Sequence, residues 1–213
     1  MPVVQGVKED QADLPVPALG SYKKEQDKLT DDLRRQAVQA YFSAISFMDA
    51  QAGKVLDALD RKKLWDHTIV IFVGDHGYHT GERSWWNKNT LFERSCRAPM
   101  IIAAPGSKGG QTSKSMVEFI DLYPTVASLC GLKMPHAAAG VSLQPILESP
   151  TASVKEAAFT LVTRDRNYLR KASAPPAGAA ISGAMVRPSS TIWMLTRKNC
   201  TTLPPNIPRL FPH

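Results

Sequence analysis

The chain has 213 residues, a length that fits one folded core and makes a second independent domain improbable on size alone. Hydrophobic residues make up 43% and charged residues 21%, which is ordinary globular usage, and no run of about 18 apolar residues could cross a bilayer. The net charge of +7 does not indicate a nucleic-acid-binding protein, because residues 1–150 carry 17 basic and 17 acidic side chains and the excess lies wholly in residues 151–213.

The first predicted element is a long amphipathic helix. Residues 1–32 are polar and contain several prolines, which predicts a lead-in loop. Thr30 or Asp31 can cap a helix, and apolar residues then recur at three- and four-residue spacing to about Lys62. The folded domain is therefore predicted to occupy residues 33–171.

A buried strand is predicted next, over Thr68–Val73. This short, β-branched, apolar run is typical of a strand covered on both faces, and it ends at Gly74-Asp75-His76-Gly77. A helix that leads into such a strand predicts an α/β fold, in which ligands bind just beyond the carboxyl ends of strands. Asp75 and His76 stand at that edge.

Two further elements are predicted in the second half of the chain, before its composition changes. A further strand is predicted over Pro99–Ala104, and a helix over Val117–Leu129 that Gly131 closes. Residues 172–213 contain no acidic residue and seven prolines, and their apolar residues show no sustained periodicity. Because such a segment buries too little apolar surface to offset its ordering entropy, it is predicted to be a disordered or aberrant tail.

The thiols and the first residues point to no special class of protein. Cys96, Cys130 and Cys200 are widely spaced and contain no CxxC pair, which argues against a disulfide framework and a structural zinc site. Residues 1–10 have neither a basic region nor an apolar run, so no secretory signal is predicted and the compartment stays open.

The strongest chemical pattern is Asp75 and His76 with Lys88 thirteen residues after Asp75. A carboxylate and an imidazole that leave a strand together can hold a metal ion, and a lysine can neutralise an anionic group. This combination suits sulfate or phosphate. By itself the Asp-His pattern is also that of a plain turn that caps a helix or loop.

Eight short segments then carry a family resemblance. They are Tyr41-Phe42-Ser43-Ala44, Phe47 to Leu56, Thr68 to Gly77, Gly81-Glu82, Trp86-Asn87-Lys88, Leu91-Phe92-Glu93, Arg97 to Ile102 and Asp121 to Thr125. In this order they resemble the C-terminal part of sulfatases, in the choline-sulfatase and iduronate-sulfatase-like branch of the alkaline-phosphatase-like superfamily. The resemblance covers about residues 38–150 and fails after about residue 171.

The resemblance implies an α/β, alkaline-phosphatase-like sulfatase fold that lacks its N-terminal half, and a sulfuric ester hydrolase. It implies that Asp75 and His76 help to hold a divalent cation, usually Ca²⁺, and that Lys88 contacts the sulfate of a small molecule or glycan. The implied nucleophile is a formylglycine made from the cysteine of a C-x-P/A-x-R motif. Full-length relatives of this kind are often exported or lysosomal.

The nucleophile motif is absent from this sequence. Cys96 is followed by Arg97-Ala98-Pro99-Met100, so methionine stands where arginine is required, and no acidic pair follows an apolar strand near the start of the chain. The isolated chain is therefore predicted to be inactive. Two alternatives remain, a phosphate or phosphonate ester hydrolase of the same superfamily and a non-catalytic anion-binding remnant.

The residue types leave the details of the site open. Ca²⁺ prefers oxygen ligands, so ligand softness alone favours zinc or manganese beside His76, and His76 could instead contact the sulfate. His79 is predicted to be a surface or loop histidine. Trp85 and Trp86 either line a substrate pocket or simply pack the loop.

Overall fold

The structure, a computed structural model, describes residues 11–12, 14, 16–164, 168–174 and 192–193. The helices are α1 (Asp31–Lys62), α2 (Glu93–Cys96), α3 (Leu122–Leu129) and α4 (Gln144–Glu148). The strands are β1 (Val70–Val73), β2 (Met100–Ala103), β3 (Thr112–Ser113), β4 (Ala158–Arg164), β5 (Tyr168–Ala174) and β6 (Ile192–Trp193). Short 3₁₀ helices span Val16–Ser21, Lys24–Lys28, Trp65–His67, Glu82–Ser84 and Phe119–Asp121.

Helix α1 confirms the prediction made from periodicity and capping. The Thr30 side chain accepts a hydrogen bond from the Leu33 N–H at 3.3 Å, which satisfies one of the amides that a helix start leaves unpaired. At the other end Arg61 and Lys62 complement the helix dipole, and Lys63 turns into the left-handed conformation with φ of 56°.

The packing of α1 is less complete than its amphipathic sequence predicts. Within the part of the chain that the structure describes, only Val38 and Asp49 of this helix are buried. Phe47 is 69% exposed and Val55 is 62% exposed. The helix thus leaves apolar side chains at the surface, and it places one carboxyl group in the interior.

The strands form a mixed sheet and a separate hairpin. The sheet order is β1-β2-β6-β3, in which β1 runs antiparallel to β2, with Val70 opposite Ala103 and Val73 opposite Met100. Strand β6 lies parallel to β2 and antiparallel to β3. Strands β4 and β5 pair only with each other. Both predicted strands exist, each slightly shorter than its apolar run.

The core lies against β2, whose four residues are all buried. The buried cluster comprises Met100, Ile102, Val117, Leu143, Ile146 and Leu147. Strand β1 was predicted to be covered on both faces, and this is wrong for the described structure, where it is partly buried and Val73 is exposed. The physical reason is that the described elements cover the faces of β1 only in part.

The predicted helix over Val117–Leu129 is split at a buried carboxylate. A 3₁₀ turn ends at Asp121 and α3 begins at Leu122. Asp121, which is fully buried, accepts hydrogen bonds from the Glu118 and Val141 amides at 2.8 and 3.0 Å, and from Lys155 Nζ at 2.7 Å. Burial lowers the pKa of Lys155, but its hydrogen bonds to Asp121 and Glu118 outweigh that effect and raise it, so the ammonium persists.

The predicted domain limits lie partly outside the described residues. Residues 172–174 belong to β5 and 192–193 to β6, while the rest of the predicted tail is outside the described ranges, so its disorder stays a prediction. Of the predicted lead-in, residues 16–21 and 24–28 form 3₁₀ turns. Among the described helices, none is long and apolar enough to cross a membrane.

A first prediction concerns Asp49, whose Oδ1 is buried without a hydrogen-bond partner. Burial raises its pKa to about 6. Because an unfolded aspartate titrates near ~3.9, the folded state binds the proton more tightly, and this residue lowers stability as pH rises from about 4 to about 6. The Asp49→Asn variant should be more stable by about 1 to 3 kcal/mol near pH 7 and should lose this pH dependence.

Urea unfolding followed by circular dichroism across that pH range measures the effect. Asp57→Asn is the matched control, because Asp57 is exposed on the same helix. If Asp49→Asn and Asp57→Asn had the same stability profile, the buried carboxyl group would carry no such cost.

Candidate functional site

The candidate site begins where β1 ends, and two backbone hydrogen bonds fix it there. The Gly74 N–H donates to the Pro99 carbonyl at 3.0 Å, and the Gly77 N–H donates to the Ser95 carbonyl at 2.9 Å. These bonds bracket Asp75 and His76. The two residues are therefore held against the connection from α2 to β2 rather than on a free loop.

Gly77 is required at this place by steric contact. A Cβ atom added to Gly77 would lie 1.9 Å from the Arg94 carbonyl oxygen, far inside van der Waals contact. At Gly74 the nearest atom would be Pro99 Cδ at 3.0 Å, a much milder contact. The close approach of the two backbones at Gly77 thus depends on the absence of a side chain.

The hydrogen bonds of His76 define its tautomer. Its Nδ1 lies 2.8 Å from the Gly77 carbonyl oxygen, which can only accept, so Nδ1 carries the proton. Nε2 then presents a lone pair, and Lys88 Nζ donates to it at 2.8 Å. Asp75 Oδ2 lies 3.2 Å from the same Nε2. Two acceptors thus converge beside one cationic group.

This arrangement brings together the three site residues predicted from the sequence. A carboxylate oxygen and an imidazole nitrogen side by side suit a cation, but the Nε2 lone pair accepts from Lys88 in this structure. His76 could therefore bind a metal ion only after that hydrogen bond breaks. No cluster of three or more His, Cys, Asp or Glu residues occurs among the described residues. Asp75 and His76 could therefore supply only part of a metal site, and their roles stay predictions.

The loop that leads to Lys88 has a packed interior. Trp85 is fully buried, with its ring centroid 5.6 Å from that of Phe92 and 5.0 Å from that of Tyr22. His79 is also buried and its Nε2 lies 2.9 Å from Thr90 Oγ1, so it is a loop histidine, as one of the two predicted alternatives has it, and not a surface one. Burial lowers the pKa of His79. For Trp85 the packing interpretation is confirmed.

Residues of the lead-in segment hold this loop, and no sequence pattern predicted this role. The Gln26 side chain donates to the Trp86 carbonyl at 2.9 Å and accepts from the Trp86 amide at 3.3 Å. Asn87 Nδ2 donates to the Ser21 carbonyl at 2.7 Å. Because Lys88 follows directly, these contacts set the direction from which its ammonium group approaches His76.

Among the described thiols, Cys96 lies in α2 next to Ser95. Burial raises the pKa of Cys96 to about 11, so it stays protonated at neutral pH, and its Sγ donates to the Thr90 carbonyl at 3.4 Å.

A second prediction tests the steric requirement at Gly77. Gly77→Ala should lower the free energy of unfolding by about 1 to 3 kcal/mol or more, because the new methyl group forces the two backbones apart. Gly74→Ala is the matched control and should cost much less. Urea unfolding of both variants compares them directly, and equal losses would show that the close contact is not decisive.

Comparisons with known proteins place this chain in a family. A sequence profile described as Sulfatase matches residues 13–132. The choline-sulfatase of Rhizobium meliloti (strain 1021) is 36% identical over 122 residues, which cover 56% of this chain and 24% of that protein. The iduronate 2-sulfatase of Mus musculus is 31% identical over 132 residues, covering 50% of this chain and 24% of that protein.

A solved structure supports the same fold. The phosphonate monoester hydrolase SpPMH from Silicibacter pomeroyi superposes with a TM-score of 0.72 at 22% identity, over 87% of this chain and 43% of that chain. The described structure thus corresponds to part of an α/β, alkaline-phosphatase-like sulfatase fold. The chain spans about a quarter of the length of the two sulfatases above, at 24% each. Since the profile covers more than half of its residues, the chain belongs to the sulfatase family.

Proposed function

We propose that this chain is the metal- and sulfate-binding part of a sulfuric ester hydrolase, and that it does not turn over sulfate esters by itself. The observation that carries the proposal is the contact of Lys88 Nζ with His76 Nε2 at 2.8 Å, beside the Asp75 carboxylate. In a member of the sulfatase family, a lysine beside a carboxylate and an imidazole supports the binding of an oxyanion together with its counter-cation.

Lys88 is the group proposed to bind the sulfate. Its ammonium is exposed and its hydrogen-bond partner His76 carries no negative charge, so that contact does not cancel the positive charge. A sulfate oxygen would accept a hydrogen bond from it more strongly than an imidazole does, because the acceptor is charged.

Asp75 and His76 are proposed to hold the cation, with Ca²⁺ as the expected ion. The Asp75 side chain is 86% exposed, which leaves its oxygens accessible to an ion. Ca²⁺ takes about six to eight oxygen ligands, so two protein ligands would bind it weakly and water would complete the shell. When bound, the ion would add positive charge next to the sulfate.

The proposed substrate is a sulfate ester of a small molecule or glycan. The names of the matched relatives, choline-sulfatase and iduronate 2-sulfatase, support this class. The absence of a C-x-P/A-x-R motif from the 213 residues supports the second part of the proposal, because no residue is then present from which the attacking aldehyde hydrate could form.

A third prediction tests the sulfate contact. Lys88→Ala should weaken the binding of inorganic sulfate about tenfold, since it removes one charge-assisted hydrogen bond. Isothermal titration calorimetry with sodium sulfate, with and without calcium chloride, measures this. Lys108→Ala is the matched control, because Lys108 is an exposed lysine outside the site. Equal affinities for the two variants would contradict the assignment of Lys88.

A fourth prediction tests the lack of catalysis. The chain, even when co-expressed with a formylglycine-generating enzyme and supplied with calcium, should release no more 4-nitrophenol from 4-nitrophenyl sulfate than a blank without protein. Turnover that depends on the protein and is lost in Lys88→Ala would contradict the proposal, because the chain would then contain a nucleophile that the motif does not reveal.

A further inference from the structure

The loop over residues 78–90, which carries Lys88, closes around a buried histidine. His79 is 1% exposed, and its ring centroid lies 6.2 Å from that of Trp85 and 6.0 Å from that of Phe92. Its backbone N–H donates to the carbonyl of Asn87 at 2.9 Å, directly before Lys88 in the chain. His79 therefore belongs both to the packed interior of the loop and to the backbone contact next to the lysine proposed to bind sulfate.

The His79 ring has a well-formed hydrogen bond at only one of its two nitrogens. Nε2 lies 2.9 Å from Thr90 Oγ1. Nδ1 is buried and makes no hydrogen bond of normal geometry, although the Glu82 backbone lies close enough to favour a proton on the ring. A neutral imidazole carries one hydrogen on its nitrogens and an imidazolium carries two. Protonation in the closed loop would therefore bury a charge together with a poorly paired N–H.

The charged groups that act on the His79 ring do not offset this cost. Glu82 favours the imidazolium, but its Oε2 accepts from the Thr80 amide at 2.8 Å and its Oε1 lies 3.1 Å from Arg94 Nε. Arg94 and Arg83 both oppose the imidazolium by repulsion. The carboxylate nearest to the ring is thus already engaged, and two guanidinium groups act against a positive charge.

The other titratable groups next to this cluster are uncharged at neutral pH. The Cys96 thiol stays protonated and donates to the Thr90 carbonyl at 3.4 Å. The Tyr22 ring lies against Trp85, with its hydroxyl group bonded to Asp27, and burial raises its pKa above the ordinary value. Neither group supplies a negative charge that would stabilise a protonated His79.

The closed and open loop must therefore differ in their affinity for a proton. Burial is the main cause that lowers the pKa of His79 in the closed loop. An opened loop would expose the ring to water, where histidine titrates near ~6.5. Because the open loop then binds the proton more tightly, the closed loop is favoured above about pH 6.5 and loses that advantage as the pH falls.

We infer that His79 is a positioning residue of the anion site: its neutral ring keeps the loop closed and so holds Lys88 beside His76, and its protonation opens the loop and withdraws Lys88. The inference rests on the proposed function, because it takes Lys88 as the group that binds sulfate. Weakly acidic conditions thus weaken the anion site through a buried residue of the loop interior.

Amide hydrogen exchange, followed by NMR on the full chain, tests the opening directly. The reporters are the N–H groups of His79 and Gly81, which donate to the Asn87 and Trp85 carbonyls inside the loop. Their protection factors should fall about tenfold or more between about pH 7.5 and about pH 5, while those of the β1–β2 ladder should not. Equal losses in the loop and the ladder would show global unfolding and would overturn the inference.

Three histidine variants identify the group that titrates. His79→Gln keeps an amide group in reach of Thr90 but cannot be protonated in this range, so its loop protection should not depend on pH. His136→Gln, at an exposed histidine, is the matched control and should retain the acid-induced loss. His76→Gln should also retain the loss, which separates the two histidines of this region. If His79→Gln does not fold, the comparison of loop with ladder in the unaltered chain still decides.

Inorganic sulfate tests whether the loop and the anion site are coupled. Because sulfate is expected to bind the closed loop, sulfate at about ten times its dissociation constant should restore loop protection about tenfold near pH 5. Sodium chloride of equal ionic strength should not have this effect. Lys88→Ala should abolish the response to sulfate.

The outcomes separate this inference from the proposed function. If calorimetry shows that sulfate binds through Lys88, but loop protection depends neither on His79 nor on sulfate, the inference is overturned alone. If the loop opens in a His79-dependent way while sulfate does not bind at any pH, the proposed function is overturned and the control of the loop by His79 is supported.

Discussion

The geometry of the site depends on the backbone contact between the end of β1 and the segment from α2 to β2. Two backbone hydrogen bonds form this contact, from the Gly74 N–H to the Pro99 carbonyl and from the Gly77 N–H to the Ser95 carbonyl. It can form only because Gly77 has no side chain in the space next to the Arg94 carbonyl. This contact therefore holds Asp75 and His76 at the sheet edge, beside α2.

Buried polar groups tie together the segments around Asp121. Asp121 ties residues 118, 141 and 155 together, and Glu118 extends this network to the Phe159 amide at the start of β4. Such a network specifies one arrangement of the loops that an apolar core would hold less specifically. Both Glu118 oxygens are engaged in this network, one by Lys155 Nζ and the other by the Phe159 amide.

The described residues assemble the candidate site only in part. The contact of Lys88 with His76 is present and is supported by Ser21 and Gln26 from the lead-in segment. No cluster of three or more His, Cys, Asp or Glu residues accompanies it in the part of the chain that the structure describes. The chain spans about a quarter of the length of its sulfatase relatives, 24% for the choline-sulfatase.

Sequence alone determined the features that depend on near neighbours. Thr30 and the apolar periodicity predicted α1, the β-branched runs predicted β1 and β2, and a series of short motifs identified the family and the trio Asp75, His76 and Lys88. These signals are local because capping, periodicity and strand preference each involve residues a few positions apart.

The tertiary structure alone decided the rest. Ser21 and Gln26 lie 66 and 60 residues from their partners, and the Asp121 to Lys155 contact spans 34. The burial of His79 and the unpaired hydroxyl of Ser95 likewise depend on elements that meet only in the fold. No pattern of spacing encodes such contacts, because a polar side chain has the same sequence signature whether solvent or a distant backbone group satisfies it.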